Sequence, residues 1–263
     1  MDFYVIPTLR NIELHHLGDR YFCLAHFYLQ DKSYRNFFLA IKQKFPFAWI
    51  TLDNSAAEKS LVTEDILLSI VEELNPNEVI SPDVLFDGET TLENLFSFSK
   101  KMKAFPNTEI FACPQGGSKE EWLFCYKEML SNADVSTIGL SKIAVPFAFK
   151  GLDGDKEIAE SRQIAVDYLA AHNLVTKPLH FLGMGDPREY SYYRKFDPII
   201  RQYFRSSDSC YTVLSGVNNV SFMRDDFRRI PTYDEFYNYR LSQEEISLVI
   251  ENVAFLKQYN KGV

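Results

Sequence analysis

Short apolar runs rich in β-branched and aromatic side chains recur along the chain, and each is followed by a longer stretch with the three-to-four-residue spacing of a helix face. The runs predict strands at residues 21–28, 48–52, 79–86, 109–113, 136–140, 179–182, 206–210 and 217–223. The periodic stretches predict helices at 33–44, 63–74, 92–104, 119–131, 156–171 and 191–204, and a last one at 243–259. Strands alternating with helices are the mark of a parallel α/β fold. The number of strands, and the absence of the Gly-x-Gly-x-x-Gly fingerprint of an open doubly wound sheet, favour a (β/α)8 TIM-like barrel.

Helix starts are marked independently. Ser118 precedes Glu120 and Glu121, and Ser242 opens a Ser-x-x-Glu capping box with Glu245. Residues 146–155, with Gly151 and Gly154, read as a longer loop. No repeat or Gly/Ser linker divides the 263 residues, so one domain over 1–263 is expected, with 1–20 as an N-terminal extension and 224–263 as a C-terminal helical segment.

Composition narrows the function classes. Residues 1–14 mix apolar positions with Asp2, Arg10 and Glu13, and no run of about eighteen apolar residues occurs anywhere, so neither an export signal nor a membrane span is expected and a cytoplasmic protein is. Cys23, Cys113, Cys125 and Cys210 are too scattered for a structural zinc site and read as buried free thiols. His15, His16, His26, His172 and His180 show neither triad-like nor metal-like spacing and read as structural. The formal charge of −8 argues against bulk electrostatic binding of nucleic acid. Cations nevertheless gather in the C-terminal third: Arg188, Arg194, Lys195, Arg201 and Arg205, then Arg224, Arg228 and Arg229. These are the candidates for contacts to a phosphate backbone, with a solvated helix face as the plain alternative.

In a barrel of this kind chemistry sits on the loops that follow the strands. Asp53, Asp87, Gln115 and Asp208 all stand at expected strand ends, where an aspartate also serves as an ordinary helix cap. Two carboxylates on one pocket suit glycosyl transfer, one attacking an anomeric carbon while the other handles the leaving group's proton. Gly116, Gly117, Gly139, Gly183 and Gly185 at strand ends would admit a planar ligand against the backbone, or simply make turns.

Six short motifs in order carry a resemblance: Leu52-Asp53-Asn54-Ser55-Ala56, Pro82-Asp83-Val84-Leu85-Phe86-Asp87, Gln115-Gly116-Gly117, Ile138-Gly139-Leu140, Leu182-Gly183-Met184-Gly185-Asp186-Pro187 and Ser207-Asp208-Ser209. Together they resemble the tRNA-guanine transglycosylase superfamily, and within it the short relatives that place 7-deazaguanine bases in DNA. The resemblance implies that Asp208 is the nucleophile and Asp53, in place of the aspartate of an Asp-Ser-Gly-Gly motif, the general acid/base. It further implies that Asp87 reads the guanine edge and that Gln115, Gly117, Gly139, Leu140, Gly183 and Gly185 line the base site. The chain has Asn-Ser-Ala where the family has Ser-Gly-Gly, which bears on the geometry of that loop.

The Cys/His zinc subdomain of the tRNA enzymes has no counterpart, which implies DNA as the polymer and tRNA as the alternative. Residues 141–149 lack the glutamate that binds an aminomethyl group, which implies 7-cyano-7-deazaguanine as the incoming base. The expected reaction needs no cofactor and no metal, and a homo-oligomer is left open. The rivals are an N-glycosidase that passes the intermediate to water and a non-catalytic nucleic-acid-binding subunit.

Overall fold

The computed structural model describes residues 1–57, 62–150, 158–224, 230 and 235–261. Eight strands form one sheet: β1 (Asp2–Val5), β2 (Tyr21–Leu24), β3 (Ile50–Asp53), β4 (Glu78–Ile80), β5 (Glu109–Ala112), β6 (Val135–Ser141), β7 (Leu179–Leu182) and β8 (Phe204–Ser209). Their order is β1-β8-β7-β6-β5-β4-β3-β2, and every neighbouring pair is parallel. A parallel bridge between Tyr4 and Arg20 brings β1 against β2, so the sheet is a nearly closed barrel. A 3-10 segment, Leu9–Leu17, makes the first crossover. The helices that follow are α1 (Ala25–Gln30), α2 (Lys32–Lys44), α3 (Glu64–Leu74), α4 (Gly88–Met102), α5 (Lys119–Ser131), α6 (Ala144–Lys150), α7 (Ile158–Ala171), α8 (Pro187–Tyr193), α9 (Pro198–Arg201), α10 (Tyr211–Val217) and α11 (Gln243–Lys261). The chain is a (β/α)8 barrel.

Local chemistry explains the helices. The Thr63 hydroxyl caps α3 by accepting from the Ile66 amide, and α3 ends at Asn75 in a left-handed conformation with φ 49°. Its Leu67, Ile70, Val71 and Leu74 form one buried stripe, each contributing about 1.5–3 kcal/mol relative to exposure. The capping box at α11 closes in both directions: Ser242 Oγ accepts from the Glu245 amide at 3.2 Å, and Glu245 Oε2 accepts from the Ser242 amide at 2.7 Å.

Several expected boundaries move. Residues 2–5, placed in an N-terminal extension, are β1 and pair with β8 from Asp2↔Ser206 to Val5↔Ser209. Residues 217–223 are not a strand: α10 runs to Val217, and Asn218 and Asn219 turn the chain, the latter at φ 54°. The expected helix at 191–204 is two helices, because Pro198 has no amide hydrogen to continue α8 and instead starts α9 behind an Asp197 cap. The strand expected at 21–28 turns helical at Ala25, and that at 79–86 stops at Ile80. The loop expected at 146–155 is helical through Lys150, and its remainder lies outside the described residues.

Strand alternation stacks the barrel interior in layers. Lowest, at the N-terminal ends of the strands, Glu78, Arg205, Thr51 and Thr137 form a polar cluster. The β7–β8 register steps from Leu179↔Phe204 to His180↔Ser206, which leaves Arg205 as an extra, bulged residue and lets it turn inward beside Ser206. Above it lie the rings of Tyr4, Phe22, Phe111 and His180 in mutual contact. Gly139 on β6 faces this layer, and a side chain there would strike Phe111. Above the rings the barrel opens.

Candidate active site

The open end is a solvent-exposed cleft holding about 100 Å³ of space. Every strand contributes to its lining: Ile6 follows β1, Leu24, Asp53, Ile80 and Leu182 close their strands, and Cys113, Ser141 and Asp208 sit at the ends of β5, β6 and β8. Asn54, Asp83, Lys142 and Gly183 add to the rim. Among the described residues, three carboxylates, Asp53, Asp83 and Asp208, therefore share one opening with one lysine.

Asp208 is 5% exposed. Its Oδ1 accepts from His180 Nε2 at 2.8 Å and from the Gly183 amide at 3.1 Å. Oδ2 has no hydrogen bond among the described residues. Gly183 reaches this position at φ 68°, a left-handed conformation suited to glycine, and the Lys142 stem lies where a side chain would be. Arg162 of α7 steadies the ends of β6 and β7 by donating to the carbonyls of Leu140 and Leu182, while its other nitrogens pair with Glu189 at 2.8 and 2.6 Å in full burial.

Asp53 ends β3, and its Oδ2 accepts from the Ser55 amide at 2.9 Å. Ser55 stands at φ 60°, the conformation that the first glycine of an Asp-Ser-Gly-Gly loop would adopt at least cost. Its hydroxyl meets the His26 ring at 2.8 Å and accepts from the His26 amide at 3.2 Å, so specific bonds offset the strain. Burial lowers the His26 pKa to about 4, and the ring is neutral at pH 7.

Asp83 accepts from Asn54 Nδ2 at 2.5 Å and from Gln115 Nε2. Burial pushes its carboxyl up to about 6, against the opposing pull of those two donors. Cys113, beside it, is raised well above the thiol range by burial and donates weakly to the Gly139 carbonyl. Among the described residues no group of three or more His, Cys, Asp or Glu side chains is arranged to hold a metal ion.

Of the residues expected from sequence, Asp53, Asp208 and Gly183 line the cleft. Asp87 does not: it caps α4, its carboxylate accepting from the Thr90 amide at 2.9 Å and the Thr90 hydroxyl at 2.7 Å. Gln115 stands behind the rim, its Oε1 accepting from the Phe86 amide while its amide nitrogen holds Asp83. Gly117 lies in the turn before α5, where its amide donates to Glu121. Gly139 is one layer too deep. Leu140, fully buried between the inward-facing Gly139 and Ser141, points away from the opening, and Gly185 packs on Ser209 and Tyr211.

The expected cation cluster is dispersed. Arg205 is corrected from a phosphate contact to a buried one: its guanidinium pairs with Glu78 at 2.8 and 2.7 Å at the opposite end of the barrel. Arg188 pairs with Asp186, Arg194 rests on the Tyr259 ring, and Lys195 pairs with Asp167 and covers Tyr192. Arg201 lies in α9, which leads into the N-terminal end of β8 and away from the cleft. Arg224 is exposed, and Arg228 and Arg229 lie outside the described residues.

His180, Asp83 and Lys142 are the site residues that sequence reading did not select. For His180 the signal was strand parity, since it faces Ser206 across the β7–β8 pair and Asp208 stands two residues further along the same face. Among the described residues no helix is long and apolar enough to cross a membrane. No family model and no curated protein matches the chain.

Proposed function

We propose that this protein is a base-exchange transglycosylase that replaces guanine in DNA with a 7-deazaguanine, 7-cyano-7-deazaguanine being the favoured base, through a glycosyl-aspartyl intermediate. The observation that carries the reading is Asp208. One of its oxygens is held by two donors, the other has no partner among the described residues, and the group opens on a cleft shared with Asp53.

In this reading Asp208 Oδ2 attacks C1′ of the target nucleotide. The C1′–N9 bond breaks, its electron pair leaves with the guanine, and Asp53 supplies the proton that base takes up. Asp53 then removes the N9 proton of the incoming base, whose N9 attacks C1′ and releases Asp208. Two displacements at one carbon retain its configuration. In this reading Asp83, rather than Asp87, accepts the N1 and 2-amino hydrogens of a guanine ring, and the support is that Asp83 lines the cleft with Asn54 and Gln115 donating to it. The target nucleotide must leave its helix to bring C1′ to Asp208. Phosphate contacts fall to Lys142 on the rim and to Arg188, whose helix starts just after β7.

The test is incubation of purified protein with radiolabelled guanine or 7-cyano-7-deazaguanine and either duplex DNA or tRNA. Label entering DNA with wild type and not with Asp208→Ala supports the reading. Label entering tRNA instead reassigns the polymer. Abasic product without label makes the protein an N-glycosidase, and no reaction in either polymer refutes base exchange and favours a binding subunit.

A further inference from the structure

His180 is fully buried under the cleft, its ring stacked near Phe22 (centroids 5.8 Å, planes 15° apart) and packed by Phe111 and the edge of Tyr4. Apolar packing of this kind fixes the plane of the ring. Its two nitrogens are both engaged, Nε2 with Asp208 Oδ1 at 2.8 Å and Nδ1 with Ser206 Oγ at 2.8 Å. Ser206 Oγ in turn accepts from Arg205 Nε at 3.3 Å, and Arg205 is anchored on both oxygens of Glu78.

The direction of each bond follows from what its two ends can donate. A guanidinium only donates and is not deprotonated in proteins, so Ser206 Oγ receives the Arg205 hydrogen and has its own hydrogen left to give. The same oxygen could also accept a second hydrogen, so the choice is made at the other ring nitrogen: the Asp208 carboxylate only accepts, so Nε2 donates to it, and a neutral ring leaves Nδ1 bare to accept the Ser206 hydrogen. A neutral imidazole then carries its single proton on Nε2, aimed at Asp208. Burial lowers the His180 pKa, in opposition to the nearby Asp208 carboxylate, and so favours the neutral ring. The bulge at Arg205 has a consequence here, since it is what turns both Arg205 and Ser206 inward.

We infer that His180 is the positioning residue of Asp208, held as its Nε2–H tautomer by Ser206 and Arg205, so that one carboxylate oxygen is fixed and the other is presented to the cleft. His180 touches no substrate in this arrangement. It acts by removing the carboxylate's freedom to rotate, which matters because misplacement of a reacting atom by about 1 Å costs on the order of a hundredfold in rate. That Asp208 reacts rests on the base-exchange reading; the tautomer and the bond to Asp208 do not.

Two measurements on the full chain separate these. The first is imidazole 15N NMR at neutral pH in wild type and Ser206→Ala. The expected His180 ring has a protonated Nε2 and a bare Nδ1, and its Nδ1 resonance moves in Ser206→Ala. A His180 ring protonated on Nδ1, or on both nitrogens, overturns the inference whatever the activity. The second is steady-state base exchange by His180→Phe, which keeps the ring packing without a donor, and by His180→Gln, which returns a donor amide at the same reach. The Phe variant is expected to lose about tenfold to a hundredfold in kcat with KM nearly unchanged, the equivalent of one hydrogen bond to a charged group, and the Gln variant to recover most of it. Equal losses in both variants, or a change confined to KM, overturn the positioning role. Should the Phe variant fail to fold, wild type against Gln and Ser206→Ala carries the comparison, with full activity in Ser206→Ala counting against it. Absence of exchange in wild type defeats the function reading alone, and the NMR result still decides the tautomer.

Discussion

Arg205→Met is the perturbation that most sharply separates a structural from a nucleic-acid role for the C-terminal cations. The Glu78 side chain is fully buried and that of Arg205 is 15% exposed, and the pair is bidentate at 2.8 and 2.7 Å, with Thr51 and Thr137 donating to the same carboxylate at 3.1 and 2.6 Å. Removing the guanidinium leaves a buried carboxylate with only hydroxyl donors, which costs about 3–5 kcal/mol. At about 2–4 °C per kcal/mol for a chain near this size, the melting temperature falls by roughly 6–20 °C. The assay is thermal unfolding followed by circular dichroism at neutral and mildly acidic pH.

The pH dependence has a definite sign. In wild type, burial raises the Glu78 pKa but the Arg205 charge outweighs it, so the carboxyl lies below its usual range. Its stabilisation is present above the unfolded-chain pKa and is lost only as pH falls through the depressed folded value. In Arg205→Met burial acts without that charge, the folded pKa lies above the unfolded one, and protonation relieves the strain. The gap between variant and wild type therefore narrows as pH falls toward the carboxylate range. A variant melting within about 2 °C of wild type, together with weakened binding of nucleic acid, would refute the buried pairing and restore Arg205 as a phosphate contact.

Further outcomes follow from the cleft. Because the folded pKa of Asp83 is raised to about 6, the contribution of this group to stability is greatest below the unfolded carboxylate pKa and declines as pH rises through about 6; in melts across that window Asp83→Asn removes that part of the pH dependence. Ser55→Ala keeps the φ of 60° and loses the bonds to His26, costing about 1–3 kcal/mol in urea unfolding, while Ser55→Gly relieves the strain and is the more stable of the two by about 1 kcal/mol. Gly183→Ala, at φ 68° and against the Lys142 stem, displaces an amide that holds Asp208 and is expected to lower exchange about tenfold; adding Lys142→Ala relieves the contact but not the backbone strain, so recovery is partial.

Much of the barrel was legible because parallel strands buried on both faces read as apolar runs, and 179–182 was bounded as observed. The first strand was also written in the chain, as Phe3-Tyr4-Val5-Ile6 ahead of Pro7, but Asp2 and the charges beyond made the segment look like an extension. At 217–223 the apolar residues misled, although Asn218-Asn219 is a turn signal in its own right. Asp53 and Asp208 were found because a polar residue ending an apolar strand has few reasons to be there. Asp87 satisfied the same test and is a helix cap, and the carboxylate in the cleft is Asp83, four residues earlier, because β4 ends at Ile80 and the loop after Pro82 carries the chain over the rim. Arg205 looked like one of a cationic row until the bulge turned it inward. Such a bulge depends on pairing with a distant strand, and local spacing holds no trace of it.

The most direct test of the account is to mix wild-type protein with guanine-containing DNA in the absence of a free base, denature, and map any covalently attached strand by peptide mass spectrometry. The expected result is an adduct on Asp208 that is absent in Asp208→Ala and is discharged when a 7-deazaguanine base is added before denaturation. Base exchange without any trapped adduct, or an adduct that persists in Asp208→Ala, would contradict it.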